Sequence, residues 1–223
     1  MADTKNEIFM LPEALVLVES LLERDVYKDK DTGAEGKPKY KVVLAFDPAQ
    51  VIGDGTIEDK MADAVAAAYG EATADEWLAT PRRADRISPL KDGNEIAKDR
   101  EANGKEGDAS KGKIVLSADS IYNKDGSEGP GGFTVYGPDC RPYNPATHGP
   151  LYAGMKGIAA VTLHAYKDYP RKGDRGVKCY LAAFQKTGDG PKLQSAASDK
   201  STLFKPVGAG TGAPVEGRRR RVG

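Results

Sequence analysis

A mainly β chain, folded as an antiparallel barrel or sandwich, is predicted by three observations. Segments of alternating apolar and polar residues recur along the sequence, one long segment has helical periodicity, and strand and helix do not alternate as a parallel sheet requires. The chain has 223 residues, enough for one substantial domain, and no repeat of fixed period is visible.

In chain order, Ala14 to Leu22 reads as the first strand and Lys37 to Phe46 as the second, joined across the charged, glycine-containing segment Asp25 to Gly36. In the second strand Tyr40, Val42, Leu44 and Phe46 share one face while Lys39 and Lys41 share the other. Pro38 is tolerable at the strand start, where it need not donate to a ladder. The spacing of Ile57, Met61, Ala64, Val65 and Ala68 predicts a helix over Ile57 to Tyr69, with Thr56 as its cap and Gly70 as its stop. Thr73 and Glu76 have capping-box spacing and open a shorter helix, on which Trp77 is expected to bury its indole rather than stack on a ligand.

Arg82 to Gly112 is rich in charge and glycine and reads as a long loop, with Arg82, Arg83 and Arg86 as a candidate phosphate contact or a solvated charge run. Lys113 to Ser120 is a third strand and Phe133 to Tyr136 a short fourth. Four prolines make Pro138 to Pro150 irregular. Met155 to Tyr166 is a long strand, Arg171 to Gly176 turns the chain, and Gly176 to Lys186 returns antiparallel to it. The expected fold is an OB-type, five-stranded antiparallel Greek-key barrel with one principal helix and long loops. It occupies residues 1–190, followed by a flexible basic tail over 191–223 that ends in Arg218 to Arg221.

Basic and acidic residues balance at 33 each, but unevenly along the chain. Residues 1 to 109 carry 15 basic against 24 acidic side chains, a net −9, and the remainder carries 18 against 9, a net +9. A basic half can attract a polyanion although the whole chain is neutral. No apolar run is long enough to span a membrane and the N-terminus lacks the regions of a signal peptide, so a soluble protein of the cytoplasm is expected. Cys140 and Cys179 make no disulfide framework and suit a reducing compartment.

The last strand carries the sharpest functional signal. Val177, Cys179, Leu181 and Ala183 point to one side, leaving Lys178, Tyr180, Phe184 and Lys186 together on the other. Exposed rings stack on any unpaired base and neighbouring ammonium groups pair with phosphate, so this face suits single-stranded nucleic acid of arbitrary sequence. The same rings also suit a second core face. Across the hairpin, Lys156, Thr162, His164 and Tyr166 share the matching side of the preceding strand, with Arg171, Lys172 and Arg175 at the turn. Lys156 to Lys186 contains seven basic residues against two acidic. The candidate DNA-binding set is therefore Lys39, Lys41, Lys156, His164, Tyr166, Arg171, Lys172, Arg175, Lys178, Tyr180, Phe184 and Lys186.

Catalysis is not indicated. Cys140, His148, His164 and Cys179 are the chain's thiols and imidazoles, and their spacings match no usual zinc pattern. Neither a phosphate loop nor a dinucleotide fingerprint is present. Asp54, Asp59 and Asp63 could recruit magnesium for a nuclease, but two of them are explained by helix-start electrostatics. No metal and no cofactor is expected. A structural or assembly protein, using the same basic hairpin for subunit contacts, is the alternative function.

Several blocks, in order, carry a family resemblance: Gly36-Lys-Pro-Lys-Tyr40 leading into Lys41 to Phe46, Pro89-Leu-Lys-Asp-Gly-Asn-Glu95, Tyr152-Ala-Gly154 before a strand ending Ala165-Tyr166, and Gly176-Val177 to Gln185 followed by Gly188-Asp-Gly190. Over roughly residues 12 to 192 the chain resembles the phage-encoded single-stranded-DNA-binding proteins with an OB-fold. The resemblance implies non-catalytic, largely sequence-independent binding of single-stranded DNA in phage replication, recombination or repair, with phage or host replication proteins as partners. One departure stands out. Many such proteins end in an acidic tail that recruits partners, whereas this chain ends in arginines.

Overall fold

The computed structural model describes residues 7–26, 33, 35–79, 88–102, 108–120, 132–167 and 175–193. The chain is mainly β. Its strands are β1 (Phe9–Met10), β2 (Ala14–Asp25), β3 (Lys39–Phe46), β4 (Leu90–Asp92), β5 (Ile114–Ser120), β6 (Thr134–Tyr136), β7 (Lys156–Lys167) and β8 (Arg175–Gly188). They form one sheet in the order β1-β7-β2-β3-β5-β8-β6, with β4 on β5. Because β7 pairs with β8 as well as with β2, the path through β2, β3, β5 and β8 returns to β7.

Alternation decides which residues fill the interior. Val42, Leu44 and Phe46 of β3, Leu116 and Ala118 of β5, Ala159 and Val161 of β7, and Val177, Cys179 and Leu181 of β8 are all buried in one core. Each large side chain removed from water there contributes about 1.5–3 kcal/mol. After β8 the chain lies back on residues 152–154: the Leu193 amide donates to the Ala153 carbonyl (2.9 Å). Gly154 allows that approach, since a Cβ there would sit 1.8 Å from the Pro191 carbonyl oxygen.

The helices are α1 (Pro48–Val51), α2 (Ile57–Tyr69), α3 (Glu71–Ala79), α4 (Gly93–Ala102) and α5 (Pro145–His148). α2 buries Ile57, Met61, Ala62 and Val65 and packs against β7 and β8, with α3 packed on α2. Gly70 stops α2 at φ 91°, its amide donating to the Ala66 carbonyl (2.8 Å). Trp77 is buried, as expected. The Thr56 side chain makes no cap hydrogen bond, its hydroxyl donating to the Val51 carbonyl (2.9 Å), while Thr73 lies within the first turn of α3, its hydroxyl donating to the Tyr69 carbonyl (3.2 Å). At α2 the loop amides of Gly53 and Gly55 instead donate to Glu58 (3.2 Å) and Asp59 (3.1 Å) in its first turn.

Three sequence expectations require correction. The sheet has eight strands among the described residues and is mixed, because β8 runs parallel to both β5 and β6. A parallel pair needs a long crossover, which here contains β6, α5 and β7. Among the described residues, one principal helix becomes three of nine residues or more, α2, α3 and α4. Finally, the expected loop over Arg82 to Gly112 contains β4 and α4, pinned where the Gly93 amide donates to the Lys113 carbonyl (2.9 Å) and the Asn94 amide to Asp92 Oδ1 (2.8 Å).

Candidate nucleic-acid interface

Register aligns one row of side chains across five strands: Ser20 on β2 faces Lys41 on β3, then Asp119 on β5, Tyr180 on β8 and Thr162 on β7. Their chain neighbours Val42, Ala118, Leu181 and Val161 are in the core, so the row lies on the side of the sheet away from that core, with Thr162 itself buried at 7% exposure. The next cross-strand pair on that side is Lys178 with His164, followed by Tyr166 opposite Gly176. Tyr180 is the centre of this surface. The Lys178 ammonium lies 5.2 Å from its ring centroid, and the His164 ring lies 6.2 Å away, tilted by 48°. His164 is exposed, while Tyr166, Lys178 and Tyr180 are half-buried.

Of the two β3 lysines, Lys41 is part of the row and Lys39 stands beside it. Lys39 donates to Asp119 Oδ2, while Lys41 lies beside Asp119 in register. Burial holds the Lys178 amine below the usual lysine range; the Asp119 carboxylate opposes that shift and the Lys39 charge adds to it.

The structure does not unite the rest of the expected set on this surface. Phe184 is 1% exposed and lies in the core, correcting its assignment to the exposed platform. Lys186 is 2% exposed; its ammonium donates to the carbonyls of His148 (3.0 Å) and Pro150 (3.1 Å) and pairs with Asp189 (2.8 Å). The cause is a β-bulge. Ala160 pairs with Ala183 but Val161 pairs with Leu181, leaving Ala182 as an extra residue that reverses the faces of everything after it. Lys156 stands eight positions before His164, about 26 Å along β7, and pairs with Glu13 at 3.6 Å. Arg175 opens β8. Arg171, Lys172, Arg82, Arg83, Arg86 and the 194–223 tail lie outside the described residues.

A second aromatic group forms at the start of β3, where Tyr40 and Phe133 have ring centroids 4.9 Å apart and the Arg24 guanidinium lies 5.5 Å from the Tyr40 centroid. Sequence reasoning placed Tyr40 on the core face and missed its two neighbours. Extending the first strand through Asp25, which pairs with Lys39, would have brought Arg24 beside Tyr40.

Among the described residues, no three His, Cys, Asp or Glu side chains are placed to hold a metal. His148 uses both ring nitrogens, Nδ1 accepting from the Asn144 amide (2.9 Å) and Nε2 lying 3.2 Å from Asp139. Both groups line an open cavity of about 570 Å³ together with Arg141, Asn144 and Thr147. The backbone amide of Arg141 and then the His148 charge hold the Asp139 carboxyl below its usual range. Burial pushes the Cys179 thiol well above its usual range, whereas Cys140 is exposed. No described helix is long and apolar enough to cross a membrane.

A mainly β architecture of this arrangement occurs in phage DNA-binding proteins. The single-stranded DNA-binding protein from bacteriophage Enc34, solved in complex with ssDNA, has a similar fold: TM-score 0.51 at 14% identity, over 85% of this chain and 91% of that one. So does gp2.5, a single-stranded DNA binding protein encoded by bacteriophage T7: TM-score 0.50 at 15% identity, over 93% of this chain and 100% of that one. The model of the family described as Enterobacter phage Enc34, ssDNA-binding protein, matches residues 24–208, and the chain belongs to that family. No curated protein matches the sequence.

Proposed function

We propose that this protein binds single-stranded DNA without strong sequence preference and supports phage DNA replication, recombination or repair. The observation carrying this reading is the Tyr180 ring, standing beside the Lys178–His164 cross-strand pair on an outward sheet face, in a chain of this family. The ring offers a stacking surface to a base, and Lys41, Lys178 and the basic hairpin end offer charge to the backbone. Stacking of this kind contributes about 1–3 kcal/mol per base.

Four further assignments follow from the same reading. The returning path β7-β2-β3-β5-β8 supports an OB-type barrel, with β1, β4, β6 and the helices as additions. The barrel domain extends to about residue 190, and the following residues form a basic tail. The protein acts by binding alone, without catalysis, in the host cytoplasm, beside phage or host replication proteins. Its DNA contacts are Lys39, Lys41, His164, Tyr166, Lys178 and Tyr180, joined by the turn residues Arg171, Lys172 and Arg175.

Fluorescence titration with oligo(dT) at two salt concentrations tests the proposal. Binding should be tight at low salt, weaken as salt rises, and exceed binding to a duplex of equal length. Absence of binding at low salt, or equal affinity for duplex, rules it out.

A further inference from the structure

Asp119 stands in the middle of the outward row, between Lys41 and Tyr180, where a carboxylate opposes the approach of any polyanion. Its Oδ2 accepts from the Lys39 ammonium, while its Oδ1 is closed off from solvent and makes no hydrogen bond among the described residues. The side chains of Lys39 and Asp119 are only 23% and 15% exposed. A covered carboxylate with one oxygen unsatisfied is a poor choice for stability alone. Its field also reaches Lys178, where it favours the ammonium form against burial and the charge of Lys39. One anion thus serves two cations on the face that meets the DNA backbone.

We infer that Asp119 is a built-in phosphate surrogate: it occupies Lys39 and limits affinity for single-stranded DNA by neutralising one cation of the face. The inference rests on the proposed function. An extended lysine that already has an anionic partner needs no rearrangement to be positioned, and the carboxylate competes with each incoming phosphate, so a bound strand is released more readily.

Salt-dependent oligo(dT) binding by Asp119→Asn, with the full chain, is the test. Neutralisation of one additional phosphate steepens log K against log salt by about 0.7 and tightens binding about eightfold at 50 mM salt and about threefold at 200 mM. Asp63→Asn, which makes the same change in net charge on an exposed position of α2, should leave affinity unchanged. The double variant Lys39→Gln/Asp119→Asn should return to the parent value. A purely structural Asp119 would lower the melting temperature without steepening the slope. If Asp119→Asn does not fold, Lys39→Gln reads the same balance with opposite sign, binding about eightfold more weakly at 50 mM salt with a shallower slope. A folded Asp119→Asn protein whose affinity is unchanged or reduced overturns the inference, as does equal tightening by Asp63→Asn. If the parent chain binds no oligonucleotide, the proposed function fails and this inference fails with it. Normal parent binding with an unresponsive Asp119→Asn defeats the role of Asp119 alone.

Discussion

The two halves of β8 have similar composition and opposite use. From Gly176 to Leu181, the odd-numbered apolar residues enter the core and Lys178 and Tyr180 stand outside. Beyond Ala182 the order inverts: Phe184 enters the core, Lys186 is drawn inward to two carbonyls and Asp189, and Gln185 turns out to donate to the Gly137 carbonyl (3.2 Å). An aromatic residue and a lysine occur in each half, but only the first half leaves them outside the core. The difference teaches that residue type does not define a binding surface until the phase of the strand is known. One extra residue is enough to convert a platform into a core.

The sharpest way to break this contrast is Phe184→Ala. Phe184 is among the largest fully buried side chains, and it packs so closely that a Cβ on Gly157 would lie 2.2 Å from its ring. Truncation should destabilise the fold by about 3–5 kcal/mol, seen as a lower midpoint in chemical denaturation. A stable Phe184→Ala protein with weakened DNA binding would return the ring to the exposed face. Lys186→Met should follow, costing about 1–3 kcal/mol by leaving the His148 and Pro150 carbonyls and Asp189 without their shared donor. Where the variant remains folded, its oligonucleotide affinity should equal that of the parent.

Tyr180→Ala is the mirror experiment in the first half. The ring is half-buried on the outward side, so its removal should leave the denaturation midpoint nearly unchanged. Binding to oligo(dT) should weaken by about 1–3 kcal/mol, the stacking contribution of one base. Unfolding of this variant would instead make Tyr180 a packing residue, and the two halves of β8 would no longer differ.

Parts of this arrangement were legible in the sequence. α2 was read with its observed ends, since five apolar residues repeat at helical spacing before a glycine that tolerates φ 91°. The β7–β8 hairpin was also legible, because long alternating runs flank a polar turn. The bulge was not: it falls in Leu181-Ala-Ala-Phe184, and two alanines fit either face, so the pattern carries no mark where its phase changes. α4 escaped because its ten residues bury only Gly93 and Ala97. The Lys39–Asp119 pair escaped for another reason. It joins residues 80 positions apart, and nothing local reports which strands become neighbours.

The smallest expected effect sharpens the contrast through Lys178, the lysine that remains on the outward face. In the folded protein its charged form is disfavoured, chiefly by burial, so its pKa lies below the ordinary lysine value of 10.5. Lys178 therefore costs stability while protonated, and that cost is relieved as pH rises from its folded-state pKa towards 10.5, the unfolded-state value. Binding has the opposite dependence. A phosphate beside the amine favours the ammonium, so affinity should begin to fall at a lower pH than for an ordinary lysine, and binding in that range should take up a proton. Lys178→Gln should bind about eightfold more weakly at 50 mM salt, with a slope shallower by about 0.7. It should also lose the early alkaline fall. Titration in buffers of different ionisation enthalpy reads the proton directly: equal proton uptake by parent and variant would place Lys178 off the DNA path and leave Tyr180 as the only ligand contact of this half-strand.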